Sequence, residues 1–233
     1  MGKYHEFVFP GESNAYRKAR DELIGLEIEL RRNLEKVAAR RRQLPAGGKL
    51  KQDYVFEEGA KDLNDTEAVY CTKFSQLFDK NKNSLVIYSF MFEPDADLPC
   101  PMCTSFLDSL NGTARHARDR INIAIVAKAP IQKVRAFAAT RDWVNLRLLS
   151  SFKNTYNSDY LAEIDAWGQM PAINVFNRSG DGIFHFYNSE LLYVPSEGDQ
   201  DPRHADLLWP LWSLFDLTPD GRGSEWYPRI SYD

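Results

Sequence analysis

Two of the three cysteines in this chain stand three positions apart in the run Pro99-Cys100-Pro101-Met102-Cys103-Thr104. A pair spaced in this way can exchange with a disulfide, supply half of a zinc knuckle, or lie inert in a core. Thr104 to Arg120 reads as helical, which puts Cys100 at the helix cap and Pro101 in the first turn, where a missing N–H costs nothing. Unpartnered backbone N–H groups and the positive end of the macrodipole favour a thiolate at Cys100. Cys103, one turn in, falls on the same side and is expected to be more buried. In such a pair Cys100 attacks a disulfide and Cys103 resolves the mixed disulfide.

The competing chemistries are weaker. Zinc needs four ligands, yet no second closely spaced cysteine pair exists, and His5, His116, His185 and His204 are scattered. No metal site and no organic cofactor are expected. Cys71 reads as a small apolar strand residue. His185, in a predicted sheet strand, reads as a hydrogen-bonded structural histidine rather than a general base. Trp143, Trp209 and Trp212 read as packing residues, and Ser150–Tyr160 as a solvated polar connector. Arg222, in the turn Asp220-Gly221-Arg222-Gly223, is expected to pair with a carboxylate and fix the C-terminal tail.

The elements that position these residues follow from periodicity. Ser13 to about Leu44 reads as one long helix, capped at Ser13 or Asn14 and stopped by Pro45-Ala46-Gly47-Gly48. Tyr16, Leu23, Leu30, Val37 and Leu44 recur every seven residues and form an apolar stripe, so this helix either wraps the main domain or pairs with a second copy to make a homodimer. Short strands are predicted at Asp53–Phe56 and Ala68–Cys71, with Thr72 capping a short helix through Phe74, Leu77 and Phe78. Leu85 to Phe92 lacks polar alternation and reads as a central strand covered on both faces. Ile121–Ala127 is another, and Pro130 opens the next helix. Leu146–Leu149 reads as a short strand. Ala172–Phe176 and Ile183–Tyr187 flank a turn as an antiparallel hairpin, and a last helix is predicted over about Arg203 to Phe215, shortened or kinked by Pro210.

Composition sets the outer limits. The chain has 233 residues, 43% hydrophobic and 27% charged, a balance suited to a globular core rather than to disorder. A net charge of −4 offers no basic field for nucleic acid. No run approaches the roughly 18 apolar residues of a membrane helix, and the N-terminus lacks the apolar stretch of a signal peptide. The expectation is a cytoplasmic protein without membrane or nucleic-acid partners, in which a close cysteine pair is more apt to be catalytic or metal-binding than a structural disulfide.

The order strand, Cys-Pro-x-Cys at a helix start, strand, helix, Met170-Pro171 before a hairpin, and a final helix resembles the thioredoxin fold. In that superfamily the residue matching Pro171 is a cis-proline packed beside the cysteines, presenting backbone to the substrate. More closely, the chain resembles a bacterial thioredoxin-like family catalogued as domain of unknown function 899. The matching stretches are Arg40–Phe56, Leu85–Phe92 with the cysteine pair, Lys128–Phe137 followed by Asp142–Ser151, Asp181–Asn188 and Leu214–Gly223. Tyr88-Ser89 stands where that family is expected to have a histidine, and Pro99 where thioredoxins have a tryptophan.

The resemblance implies a thioredoxin-like α/β/α sandwich with a mixed central sheet over residues 49–233, preceded by an N-terminal helical arm over 1–48. It implies a redox site of Cys100, Cys103 and Pro171 acting as a thiol–disulfide oxidoreductase on a protein or small-molecule disulfide. Two alternatives stand beside it. One is a non-catalytic binding or assembly protein that dimerises through the N-terminal helix. The other is a peroxiredoxin-like peroxide reductase, disfavoured because Asp97 and Cys100 occupy the positions where the Pro-x-x-x-Thr-x-x-Cys signature requires threonine.

Overall fold

The computed structural model describes residues 2–198 and 200–232. The chain separates into two compact units, Met1–Pro45 and Ala46–Asp233.

The first unit is built on α1 (Asn14–Arg42). Ser13 caps it, its extended backbone letting the hydroxyl accept from the Tyr16 N–H at 3.1 Å. Arg40, Arg41 and Arg42 fill the last turn, where cations suit the helix dipole. The segment before the cap folds back along the helix, with the Lys3 N–H donating to Asp21 at 2.8 Å. Within this unit Tyr16, Leu23, Leu30 and Val37 are uncovered. Among the described residues no helix is long and apolar enough to cross a membrane.

The second unit runs β1 (Val55–Gly59), β2 (Val69–Lys73), β3 (Ser84–Phe90), α2 (Pro101–Ala117), β4 (Asn122–Ala127), α3 (Ile131–Thr140) and β5 (Leu148–Ser150). It continues with α4 (Tyr156–Asp159), β6 (Glu163–Ile164), β7 (Gly168–Gln169), β8 (Ile173–Ser179), β9 (Gly182–Asn188) and α5 (Pro210–Asp216). Seven strands form one mixed sheet in the order β2-β1-β5-β4-β3-β8-β9. β3, β4 and β5 are parallel, and β8 and β9 return antiparallel beside β3. A β3–α2–β4–α3–β8–β9–α5 course, with β4-β3-β8-β9 side by side at one end of the sheet, is the thioredoxin-like α/β arrangement expected from the sequence.

Side-chain alternation along β3 and β4 makes two cores. Tyr88, Phe90, Ile123, Ile125 and Ala127 face α2 and α3, joined by Phe106, Leu107, Val134 and Trp143. Leu85, Ile87, Ala124 and Val126 face the other way, onto Tyr54, Phe56, Phe74, Tyr156 and Phe176. Burial on both faces explains why these strands read as unbroken apolar runs.

Several local expectations are corrected. Thr72 does not cap a helix. It lies in β2 with its hydroxyl donating to Glu58 Oε2 at 2.7 Å, and Lys73 stands at the cap of the 3-10 turn Phe74–Leu77. The last helix is shortened at Pro210, as expected, and does not start at Arg203: α5 begins at the proline itself, where its fixed φ and missing N–H are tolerated. The segment 150–160 is no solvated connector, since Ser150, Ser151, Tyr156 and Asn157 are buried. Finally, no peptide bond among the described residues is cis, so Met170–Pro171 is trans. The chain turns there through an Ala172 N–H bond to the Met170 carbonyl at 2.9 Å, a three-residue turn whose central φ suits a proline ring. Ala172 then accepts from the Ser89 N–H at 2.8 Å, extending the β3–β8 ladder without the other isomer.

Candidate active site

The dithiol sits where β3 hands over to α2. After Phe90 the chain leaves the sheet, loops out through residues 93–99, and returns with the Cys100 N–H bound to the Met91 carbonyl at 3.0 Å. The Phe92 N–H donates to Gln169 Oε1 at 3.0 Å, which ties the loop base to β7. Cys100 is the N-cap of α2 and Pro101 is in its first turn, as the residue order predicts. Cys103 N–H donates to Cys100 Sγ at 3.4 Å, and Thr104 bonds the Cys100 carbonyl through its N–H at 3.0 Å and its hydroxyl at 2.9 Å. The cysteine thereby takes the place that serine or aspartate fills in an ordinary helix cap.

The two thiols are unequal. Cys100 is partly exposed and Cys103 is 1% exposed. A hydrogen bond from the Cys103 thiol, with further bonds from the Cys103 and Met102 N–H groups and the Tyr227 hydroxyl, lowers the Cys100 pKa to about 6 against the opposing effect of burial. Burial, then the nearness of Cys100, pushes Cys103 well above the ordinary thiol range. These shifts favour the thiolate at Cys100 and the protonated thiol at Cys103. Tyr88 lies under the pair, hydrogen-bonded to Cys103, and burial raises its own pKa far above that of free tyrosine. Tyr227 is pushed up to about 12 by burial and by the Cys100 charge, so its hydroxyl stays protonated and can donate.

Pro171 borders a cavity of about 250 Å³ together with Tyr88, Met102 and Phe106 on one side and Trp209, Trp212 and Trp226 on the other. It therefore lies near the dithiol through shared walls, but with a trans bond and without the cis backbone presentation that the resemblance implied.

The remaining candidates lie elsewhere. Cys71 is exposed on β2 at the sheet edge, four strand spacings from β3, a lateral separation of about 19 Å. Disulfide formation with Cys100 is excluded at that distance. His185 projects from β9 onto the second core, against Phe176 and Tyr160, and bonds Asn174 Oδ1 through Nε2 at 2.9 Å. Burial lowers its pKa. It is the structural histidine expected from the sequence and lies on the face opposite the sulfurs. Trp143 is fully buried and donates from Nε1 to Asp108 at 2.9 Å. Arg222 pairs with Asp206 at 2.6 Å and Asp216 at 2.7 Å, as anticipated for the tail. No cluster of potential metal ligands occurs among the described residues.

Sequence reasoning missed Tyr227 and Trp226 because nothing periodic marks the tail that carries them. Tyr88 was within reach: alternation along β3 puts it on the same face as Phe90, toward α2.

Fold and site together define a thioredoxin-like protein with a paired thiol at a helix start. The chain belongs to the family described as "Bacterial protein of unknown function (DUF899)", whose model matches residues 8–232. No curated protein matches it. Among solved structures, it is similar to a reduced 2-Cys peroxiredoxin from Plasmodium vivax at 13% identity and TM-score 0.45, covering 73% of this chain and 98% of that one. It is similar to Mycobacterium tuberculosis AhpC at 10% identity and TM-score 0.46, covering 73% and 98%. Peroxidoxin BcpB from the same organism aligns at 19% identity and TM-score 0.41, covering 72% and 95%. Likeness at this level assigns no activity.

Proposed function

We propose that the protein is a thiol–disulfide oxidoreductase. Cys100 attacks as thiolate, and Cys103 resolves the mixed disulfide. The observation that carries this reading is the inequality of the two sulfurs: Cys100 is partly exposed at the helix cap, where its Sγ accepts from the Cys103 N–H, and Cys103 is buried one turn deeper. An inert pair in a core has no such division of labour, since burial alone raises both thiols. Stabilising the Cys100 thiolate also stabilises the reduced protein, which makes the pair a better oxidant than two ordinary thiols. Pro171 serves as a wall of the substrate approach and not as a cis-proline. A protein in the cytoplasm would meet a pool of reduced thiols able to regenerate the pair.

Thiolate absorbance of the reduced protein across pH 4 to 10 tests the assignment. A first ionisation near pH 6 that disappears in Cys100→Ser supports it. Ionisation of Cys100 no lower than the roughly 8.5 of a free cysteine would falsify it. Mixed-disulfide trapping by Cys103→Ser provides the chemical counterpart.

A further inference from the structure

The cavity beside the sulfurs has a chemical character of its own. We infer that it holds one arm of an uncharged, aromatic small-molecule disulfide carrying a hydrogen-bond acceptor, and that such a compound is the substrate. The inference rests on the proposed dithiol chemistry and names its substrate class.

Four observations lead there. The first is the walls. Phe106, Trp209, Trp212 and Trp226 follow one another edge to face, with ring centroids 6.1, 5.5 and 5.8 Å apart. Such walls suit an inserted ring. A volume of about 250 Å³ lies just under the roughly 300–1,000 Å³ of sites for drug-sized ligands, room for one small arm rather than a protein surface. The second is connection to the chemistry. Tyr88 lines the cavity and bonds Cys103, while Trp226 precedes Tyr227, which bonds Cys100.

The third is charge. Asp201, His204, Asp206 and Arg222 are the titratable groups of the lining besides Tyr88, and burial lowers the His204 pKa, which favours its neutral ring. Arg222 donates to Asp206 and Asp216, and Arg203 pairs with Asp201, Asp206 and Asp216. Three carboxylates against two guanidiniums leave no cation for an anionic substrate, which disfavours oxidised glutathione. The fourth is a buried donor. Trp209 is 4% exposed and lines the cavity, and its indole Nε1–H has no hydrogen-bond partner among the described residues. A buried donor of this kind favours a ligand that brings an acceptor, such as a ring nitrogen or carbonyl.

The reaction balances within the protein and substrate. Cys100 thiolate attacks the sulfur of the seated arm, the substrate S–S bond breaks, and the other arm leaves as a thiolate. Cys103 gives its proton to a departing arm and attacks Cys100 Sγ. The seated arm is released, so one disulfide becomes one thiol and one thiolate, and two electrons pass from the protein, which ends as the Cys100–Cys103 disulfide.

The test uses the full chain with 4,4′-dithiodipyridine, oxidised glutathione and the unreactive thioether di(4-pyridyl) sulfide. Calorimetry is expected to show saturable binding of the thioether to wild type and to Cys100→Ser. Stopped-flow oxidation of reduced protein is expected to saturate with the dipyridyl compound and not with glutathione disulfide. Trp209→Phe, checked by circular dichroism for an intact fold, is expected to weaken thioether binding about tenfold, the loss of one hydrogen bond. Absence of thioether binding, or equal handling of both disulfides, overturns the inference while leaving the dithiol chemistry in place. Thioether binding with no oxidation by either disulfide overturns the redox reading, and the substrate assignment with it.

Discussion

On one face of the sheet, Cys100 and Cys103 share a contact in which a single proton is unevenly held; on the other, His185, Asn174 and Asn188 share bonds that each have only one direction. The Tyr160 carbonyl accepts from Asn174 Nδ2 at 3.2 Å, which turns Asn174 Oδ1 the other way. That oxygen accepts from Asn188 Nδ2 and from His185 Nε2, each at 2.9 Å. His185 must therefore carry its proton on Nε2, and burial keeps the ring neutral. Histidine is by type the more versatile catalyst, yet here it is the fixed group. The thiolate is the mobile charge because a helix start, unlike a strand interior, leaves N–H groups free to hold it.

The largest expected difference between the faces is in reactivity. Cys100→Ser should abolish exchange with a small disulfide, a loss of about a thousandfold or more, whereas His185→Gln should change the rate less than about twofold. Stopped-flow thiol consumption measures both. A His185 effect comparable with that of Cys100 would erase the division drawn here.

Stability should show the reverse ranking. Asn174→Ala leaves the His185 and Asn188 donors without their acceptor and is expected to cost about 2–3 kcal/mol in urea unfolding. The Cys100 ionisation midpoint should stay within about 0.2 units of wild type in that variant, because the cluster lies across the sheet.

A smaller effect sharpens the account of the thiolate. Tyr227→Phe removes one donor to a partly exposed anion and is expected to raise the Cys100 midpoint by about half a unit to one unit. Disulfide exchange at pH 6 should slow accordingly, with little change at pH 8. An unmoved midpoint would show that the backbone N–H groups and Cys103 hold the charge alone.

The smallest effects lie in the pH dependence of stability, where the faces separate by window. Cys100 has a lowered folded pKa, so its contribution is complete above the unfolded value of roughly 8.5 and is lost as pH falls through about 6. His185 also has a lowered folded pKa; its penalty sets in as pH drops below the unfolded value of roughly 6.5 and the ring must charge. In reduced protein, Cys100→Ser should flatten the curve between about pH 6 and 8.5, and His185→Gln should flatten it below about 6.5. Denaturant midpoints across that range read out both.

Sequence alone determined what depends on neighbours. Cys-Pro-Met-Cys ahead of a helical run placed Cys100 at a cap and Cys103 a turn deeper, because capping and the N–H groups of a first turn are settled within a few residues. The apolar runs marked β3 and β4 as central strands, and the strand–helix order marked them as parallel. Tertiary structure alone decided what depends on distance. Tyr227 reaches Cys100 across more than a hundred residues, tryptophans from the cap of α5, from α5 itself and from the tail line a cavity with Pro171, and a γ-turn bonded to Ser89 lets that proline stay trans. The physical reason is that local backbone groups have few partners to choose among, whereas side chains from remote segments meet only after the sheet has brought their strands and loops together.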